Sequence, residues 1–227
     1  MRSMWRTLDR EVVRDVLALA AADVVIGASF GAIAVSAGLP LWLPCALSLL
    51  VFAGGAQFLA VGVIAAGGSP LAAVFGGLLL NARHLPFGLA IGDLVGRGRL
   101  GRLVGSHLMT DESVAFAMAQ RDQVRGRAAF WATGTVLFVV WNLGTAAGAL
   151  AGTAIGDPAA LGLDAAFPAA LLALVLPGLK DRDTRRAALL GAAVALAASP
   201  FLPPGVPLLL ALAGLVVAVP RRTAVPS

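Results

Sequence analysis

The chain has 227 residues, of which 59% are hydrophobic and 13% are charged, and its formal net charge is +5. About a quarter of the residues are charged in a soluble domain, and a chain of this length has too little interior to hide so much apolar surface from water. These values exclude a soluble monomer and predict an all-α polytopic membrane protein. The positive residues lie between apolar segments rather than on one polar face, so they do not indicate nucleic-acid binding.

The residues that hold metals or carry out catalysis are scarce. Cys45 is the only cysteine, which excludes an internal disulfide and a multi-cysteine metal site. There are two histidines, and no separated pair of carboxylates has the spacing of metal ligands. We therefore predict no metal, no cofactor and no enzymatic activity.

The first two apolar segments, residues 16–37 and 43–66, are each predicted to be a full membrane span. Each has about the 20 residues that a helix needs to cross the hydrocarbon core. Arginines precede the first segment, and the positive-inside tendency therefore predicts a cytoplasmic N-terminus. Because this segment continues past Asp23, we interpret it as a retained span rather than a signal peptide.

The third apolar region, residues 71–95, is divided by the polar run Asn81-Ala82-Arg83-His84. Each apolar piece reaches only about halfway across a bilayer. The region is either one interrupted span or a re-entrant hairpin with the polar run at its tip. A hairpin returns Arg97, Arg99 and Arg102 to the cytoplasm, and this charge argument favours the hairpin.

Residues 104–120 contain His107, Asp111 and Glu112 and lie between two basic clusters. This pattern predicts an interfacial or partly inserted connecting helix. A polar transmembrane helix that lines the solute pathway is the alternative.

The C-terminal half has a similar order of apolar segments, with spans predicted at residues 130–155 and 165–179 and a broken pair at 187–198 and 206–219. We therefore predict a single transmembrane domain over residues 1–227, with a first repeat at about 16–95 and a second at about 130–219. Each repeat contains two full spans and a broken or re-entrant apolar pair. Charge placement makes the two halves parallel, but this relation changes if the third region or the acidic helix crosses the membrane, so the handedness of the repeat stays open. Paired interrupted segments indicate a transporter.

Polar groups at membrane depth are the candidate functional residues, because they are costly unless they face protein or water. Arg83 and Asn81 suit a carboxylate, whereas Asp111 or Glu112 suits an ammonium group or a coupling proton. Alternatively, Arg83 anchors the polar run to backbone carbonyls. The predicted substrate-binding residues are Phe52, Gly54, Gly55, Gln57, Asn81 and Arg83, and the predicted proton-coupling residues are His84, Asp111 and Glu112.

Several of these residues stand in motifs of one family. The runs are Gly27-Ala28-Ser29-Phe30-Gly31, Phe52-Ala53-Gly54-Gly55-Ala56-Gln57-Phe58, Asn81-Ala82-Arg83-His84 and Thr110-Asp111-Glu112-Ser113. In combination they resemble the AzlC family, the large subunits of branched-chain amino acid exporters. The resemblance implies export of leucine, isoleucine or valine across the bacterial cytoplasmic membrane, driven by the proton gradient and assisted by a small AzlD-type membrane subunit.

Two other functions fit the same sequence pattern. Broken helices also suit a passive channel for amino acids or other small solutes. A membrane subunit that binds no solute itself is the second alternative.

Overall fold

A computed structural model of the chain describes residues 7–96, 98–155, 172, 176, 178–202 and 206–214. Within these ranges the protein is helical and contains no strand. The α-helices are α1 (Arg10–Ser36), α2 (Trp42–Leu50), α3 (Gly54–Ala65), α4 (Pro70–Asn81), α5 (His84–Val95), α6 (Arg99–His107), α7 (Asp111–Met118), α8 (Gln123–Ile155), α9 (Arg182–Ala198) and α10 (Val206–Leu210). Short 3₁₀ turns occupy Gly178–Lys180 and Ala211–Gly214.

Two of these helices, α1 with 27 residues and α8 with 33, are long and apolar enough to cross a membrane. The pair α4 and α5 is a third candidate, with a bend of 48° between the two helices. The chain is therefore a multi-pass membrane protein. The predicted first span and the predicted span at 130–155 are both present, and each begins earlier than predicted.

Helices α1 and α8 pack in parallel through their small residues. A Cβ atom on Gly144 would lie 2.5 Å from the carbonyl oxygen of Val24, and one on Gly152 would lie 2.9 Å from Ala32 Cα. At their N-terminal ends, Arg125 Nη1 contacts Asp9 Oδ2 at 2.6 Å. The absence of side chains at the interface lets the two backbones approach closely, as membrane helices commonly do.

The prediction that residues 43–66 form one continuous span is wrong. Helix α2 runs back from the C-terminal end of α1 and stops at Leu50, and α3 begins at Gly54. Gly54 lies beside Trp141, whereas the Phe58 ring lies 5.3 Å from the Phe30 ring, so α3 returns toward the C-terminal end of α1. The segment is a re-entrant hairpin, which hydropathy does not distinguish from a span because both halves are apolar.

Helices α4 and α5 together form a broken span. Helix α4 packs antiparallel to α3, with Gly76 against Leu59 and Gly55 against Leu80. The 48° bend turns the chain without reversing it, which favours the interrupted span over the expected hairpin. Helix α5 then continues to the level of Gly126, near the start of α8. There the Leu94 side chain lies next to the place that a Cβ atom on Gly126 would occupy.

A single connecting helix over residues 104–120 is also not observed. Helix α6 rises from the end of α5, where Gly96 contacts Gly101, and ends at His107. Helix α7 returns antiparallel to α8. A Cβ atom on Gly134 would lie 2.7 Å from the carbonyl oxygen of Leu108, before α7 begins. A Cβ atom on Gly126, nearer the start of α8, would lie 3.1 Å from the carbonyl oxygen of Ala117. The segment is therefore a second re-entrant hairpin, which enters from the face that carries the N-terminal end of α1.

The two hairpins enter from opposite faces of the bundle. A span followed by a hairpin thus occurs twice in succession, over residues 10–65 and 70–118, and the two units run in opposite directions. The predicted pair of parallel halves, each with two full spans, is not seen in the described part of the chain. Arg99, Arg102 and Arg125 lie on the same face as the start of α1, as the positive-inside tendency predicts.

Most of the predicted span at 165–179 lies outside the described residues, as does the end of the predicted piece at 206–219. Helix α9 begins at Arg182, where the Asp181 carboxylate accepts hydrogen bonds from the amide and hydroxyl of Thr184, both at 2.8 Å. These donors lower the pKa of the Asp181 carboxyl. Helix α9 packs against the turn Ala211–Gly214 through Gly191 and Gly214.

Candidate functional site

Three helix breaks meet at the middle of α1 and α8. They lie between α2 and α3, between α4 and α5, and between α6 and α7, and together they border a cavity of about 500 Å³. The cavity is lined by Leu19, Ala22, Asp23, Ile26, Phe52, Ala53, Gly54, Gly55, Phe58, Arg83, His84, Thr110, Asp111, Glu112, Leu137 and Trp141. Non-helical backbone at membrane depth is tolerated where it lines such a cavity.

The first break is held open by Phe52 and Gln57. Phe52 has a φ of 43°, an unusual conformation for a residue with a side chain, and its ring packs 5.0 Å from Phe138. Gln57 Oε1 accepts the Ala53 N–H at 3.1 Å. The N–H groups of Gly54 and Gly55 lie in the first turn of α3, where they have no partner within the helix. They therefore add positive potential at the cavity wall.

The second break carries Arg83 and His84. His84 Nδ1 donates to the carbonyl oxygen of Asn81 at 2.9 Å, which ties the start of α5 to the end of α4. Arg83 Nη2 contacts Asp111 Oδ2 at 3.2 Å across the cavity. A Cβ atom on Gly55 would lie 3.9 Å from both Nη atoms of Arg83, so the glycine leaves the guanidinium beside the N-terminus of α3.

The third break begins α7 with a reciprocal cap. Thr110 Oγ1 accepts the Ser113 N–H at 3.2 Å, and Ser113 Oγ accepts the Thr110 N–H at 2.8 Å. This capping box fixes the first turn of α7. Asp111 and Glu112 follow the cap directly, and both line the cavity.

The charged groups of the cavity are unevenly matched. The cavity wall contains three carboxylates, Asp23, Asp111 and Glu112, together with Arg83 and the imidazole of His84. Arg83 pairs with Asp111, whereas Asp23 and Glu112 form no ion pair or hydrogen bond through their side chains within the part of the chain that the structure describes. The cavity therefore offers a cationic region at Arg83 and α3 and two unpaired carboxylates.

The remainder of the wall is apolar. Leu19, Ile26, Phe58, Leu137 and Trp141 come from α1, α3 and α8. Trp141 is only 4% exposed, and its Nε1 has no hydrogen-bond partner in the described residues. The benzo edge of the indole ring lies beside Gly54, so Trp141 adds apolar surface to the wall.

The tips of the two hairpins touch beside the cavity. His107 Nε2 donates to the carbonyl oxygen of Leu49 at 2.9 Å, which joins the end of α6 to the end of α2. The His107 ring also packs 6.1 Å from Phe52 and 5.5 Å from Phe138. This contact links the segment that enters from one face of the bundle to the segment that enters from the other.

The structure brings together seven of the nine predicted site residues at the cavity wall. They are Phe52, Gly54, Gly55, Arg83, His84, Asp111 and Glu112. Gln57 and Asn81 do not line the cavity and instead support the breaks beside it. The prediction of the site omitted Asp23 and Trp141. A carboxylate in the middle of the first apolar span was the available signal for Asp23.

The family of the chain follows from comparison with known proteins. The AzlC family model, described as AzlC protein, matches residues 18–155. The chain belongs to the AzlC family. This match covers helices α2 to α7, most of α1 and all of α8, and it therefore includes every residue of the cavity wall. No curated protein matches the chain, and no solved structure matches it.

AzlC proteins are associated with branched-chain amino acid transport. The family membership agrees with the apolar helices and supports a membrane transport role for this chain. In the described residues, no group of three or more His, Cys, Asp or Glu side chains has the arrangement of a metal site.

We expect Thr110→Ala to destabilise this AzlC protein because it removes the cap at the start of α7. Loss of an N-cap side chain costs about 0.5–2 kcal/mol, and the change also frees Asp111 from a fixed orientation toward Arg83. Thermal unfolding of the purified protein in detergent measures the effect. Thr110→Ser keeps the cap and should unfold at the temperature of the unmodified protein, as should Thr153→Ala on the exposed face of α8. An unchanged unfolding temperature for Thr110→Ala would contradict the role of the cap.

Proposed function

We propose that the chain is the large subunit of a secondary transporter that exports leucine, isoleucine and valine. Membership in the AzlC family supports this proposal. We further propose that the proton gradient drives export, that a small AzlD-type membrane subunit takes part, and that the chain lies in the bacterial cytoplasmic membrane with the N-terminal end of α1 in the cytoplasm.

The observation that carries the proposal is the chemistry of the cavity. A branched-chain amino acid presents a carboxylate, an ammonium group and an apolar side chain, and the wall has a matching region for each. Arg83 and the N-terminal amides of α3 suit the carboxylate, because a helix N-terminus and a guanidinium both attract anions. The volume of about 500 Å³ lies within the range of about 300–1,000 Å³ typical of small-molecule sites.

We place the substrate in the cavity on the basis of this match. We propose that its carboxylate binds beside Gly54, Gly55 and Arg83 and that its apolar side chain packs against Phe52 and Phe58, all of which line the cavity. Gln57 and Asn81 hold the backbone of the breaks that present these groups. Broken helices that converge from inverted units are a common way to build a central transport site.

Proteoliposomes that contain the chain together with the small subunit test the proposal. We expect radiolabelled leucine loaded inside to leave faster when a proton gradient is imposed than without one, and we expect saturation with concentration. Leucine that accumulates against its own gradient excludes a passive channel. No gradient-dependent flux of leucine, isoleucine or valine would overturn the proposal. Liposomes with the small subunit alone are the control for leakage.

A further inference from the structure

Two carboxylates in the cavity take no part in the ion pair between Arg83 and Asp111. Asp23 projects from the middle of α1, and Glu112 lies in the first turn of α7. Both line the same cavity. Neither accepts a hydrogen bond or forms an ion pair through its side chain within the described residues.

The surroundings of this carboxylate pair contain few other charges. The break between α4 and α5 contributes Arg83 and His84 to the wall, and α7 contributes Asp111 beside Glu112. Helices α3 and α8 contribute no titratable side chain to the wall. Because Arg83 is already paired with Asp111, the carboxylates of Asp23 and Glu112 have no cation to balance them.

Other groups of the same cavity wall suit the opposite charge. Arg83 and the first-turn N–H groups of Gly54 and Gly55 lie at this wall and attract an anion. A zwitterionic amino acid provides an anion through its carboxylate and a cation through its ammonium group. The unpaired carboxylates therefore suit one end of such a molecule, and Arg83 with the start of α3 suits the other.

We propose that Asp23 and Glu112 form one site, which a coupling proton and the ammonium group of the substrate occupy in turn. This inference rests on the proposed function, since it assumes that an amino acid enters the cavity. Two like charges at the wall of one cavity favour a form in which the pair shares one proton. Asp23, which the family-like motifs do not include, is thus assigned to the coupling of transport to the proton gradient.

Protons and charges balance in this exchange. In the empty cavity the pair holds one proton and has one negative charge. When the amino acid binds, its ammonium group takes the place of that proton, one O–H bond breaks, and the proton leaves to water. Both carboxylates are then ionised against the ammonium group. Release of the amino acid on the other side allows a proton to return, so one proton moves inward for each amino acid that moves outward.

Proton release on binding of L-leucine tests this assignment. The full chain, assembled with its small subunit in lipid nanodiscs, is mixed with leucine in weak buffer that contains a pH indicator. We expect release of about one proton per leucine bound near neutral pH, because the ammonium group displaces the shared proton. The apparent Kd for leucine should also rise as the pH falls from about 8 to about 6, since protons compete with the ligand.

Asp23→Asn leaves Glu112 without a second carboxylate with which to share a proton. We expect this variant to bind leucine with little proton release and with a Kd that changes little over the same pH range. Asp23→Glu should restore the release. The matched control is Asp15→Asn on the exposed part of α1, where Asp15 contacts Arg14 at 3.1 Å, and this variant should release protons as the unmodified protein does.

Glu112→Gln must give the same loss as Asp23→Asn because the site needs both carboxylates, so the test remains available if one variant does not fold. Unchanged proton release in either folded variant would overturn the assignment. Leucine binding to the unmodified protein without proton release would also overturn it, while the proposed function would stand. No leucine binding at all to the unmodified complex would remove both.

Discussion

Gly148→Val is expected to unfold the core of the protein. A side chain on Gly148 of α8 collides with the carbonyl group of Ala28 on α1, and the atoms it meets belong to the backbone. Neither helix has room to yield, because Gly27 and Gly144 also make close approaches nearby. We expect a loss of more than about 3 kcal/mol in the free energy of unfolding, at the upper end of overpacking effects.

Thermal unfolding in detergent, with the yield of monodisperse protein as a second readout, measures this loss. The matched control is Gly62→Val, which places the same side chain on α3 at a position with no other atom within 4 Å. That variant should unfold close to the temperature of the unmodified protein. Equal unfolding temperatures for both variants would show that α1 and α8 do not pack as described.

Arg83→Ala is expected to have the largest effect on transport among variants that fold. The change removes the arginine cation from the cavity wall and leaves Asp111 without its ion-pair partner. A charge-assisted contact to a carboxylate contributes about 1.5–3 kcal/mol, which corresponds to a loss of roughly 10- to 100-fold in leucine transport. Arg83→Lys should recover part of this loss, because an ammonium group lacks the fork that binds both carboxylate oxygens.

A double variant separates a substrate ligand from a structural anchor. If Arg83 only anchors α5 to α7, then Arg83→Ala combined with Asp111→Asn removes both charges and should restore transport. If Arg83 holds the substrate carboxylate, as we propose, the double variant keeps the full loss of the Arg83→Ala variant. Arg102→Ala is the matched control, because Arg102 lies outside the cavity and contacts the carbonyl oxygen of Gly96 at 3.4 Å. Full transport by a normally inserted Arg83→Ala variant would contradict the role of this arginine.

The composition and the polar interruptions of the sequence predict much of the site. A charged residue is costly at membrane depth, so Arg83, Asp111 and Glu112 stand out among the apolar residues of the sequence. The adjacent glycines at 54 and 55 also indicate a weak point in an apolar segment. Each of these residues lines the cavity. Polar groups at membrane depth are stable only where they face protein or water, so residue type alone is enough to single out the charged members of this site.

The path of the chain is harder to predict. Hydropathy indicates that a segment lies in the membrane, but it does not indicate whether the chain crosses the membrane or turns back. Residues 43–66 are as apolar as a true span, yet the chain reverses at Phe52, whose φ of 43° has no clear signature in the sequence. Conversely, the polar run at 81–84 marks a bend of only 48°. The first hairpin therefore lies one apolar segment earlier than the sequence predicts. The arginines that follow residues 71–95 nevertheless lie on the expected face.

Asp23 shows a second limit of predicting the site from the sequence. Its position in the first apolar span identifies it as unusual. However, Glu112, which lines the same cavity, is 89 positions away along the chain and is brought there by the second hairpin. The same holds for Trp141, which is one of many aromatic residues until the fold places it beside Gly54. Such long-range contacts depend on how α1 and α8 pack, and residue spacing does not report that packing.

We propose that an amino acid occupies the cavity at the three helix breaks. Protection of a cysteine in the cavity wall by leucine tests this most directly. Ala22 lines the cavity, and Ala22→Cys in a Cys45→Ser background gives a single thiol there. Ala119→Cys, in the exposed turn between α7 and α8, is the matched control. The structure predicts that L-leucine slows modification of Ala22→Cys by a water-soluble thiol reagent and leaves Ala119→Cys unchanged. Equal rates with and without leucine at Ala22→Cys, in a protein that still transports leucine, would contradict the location of the site.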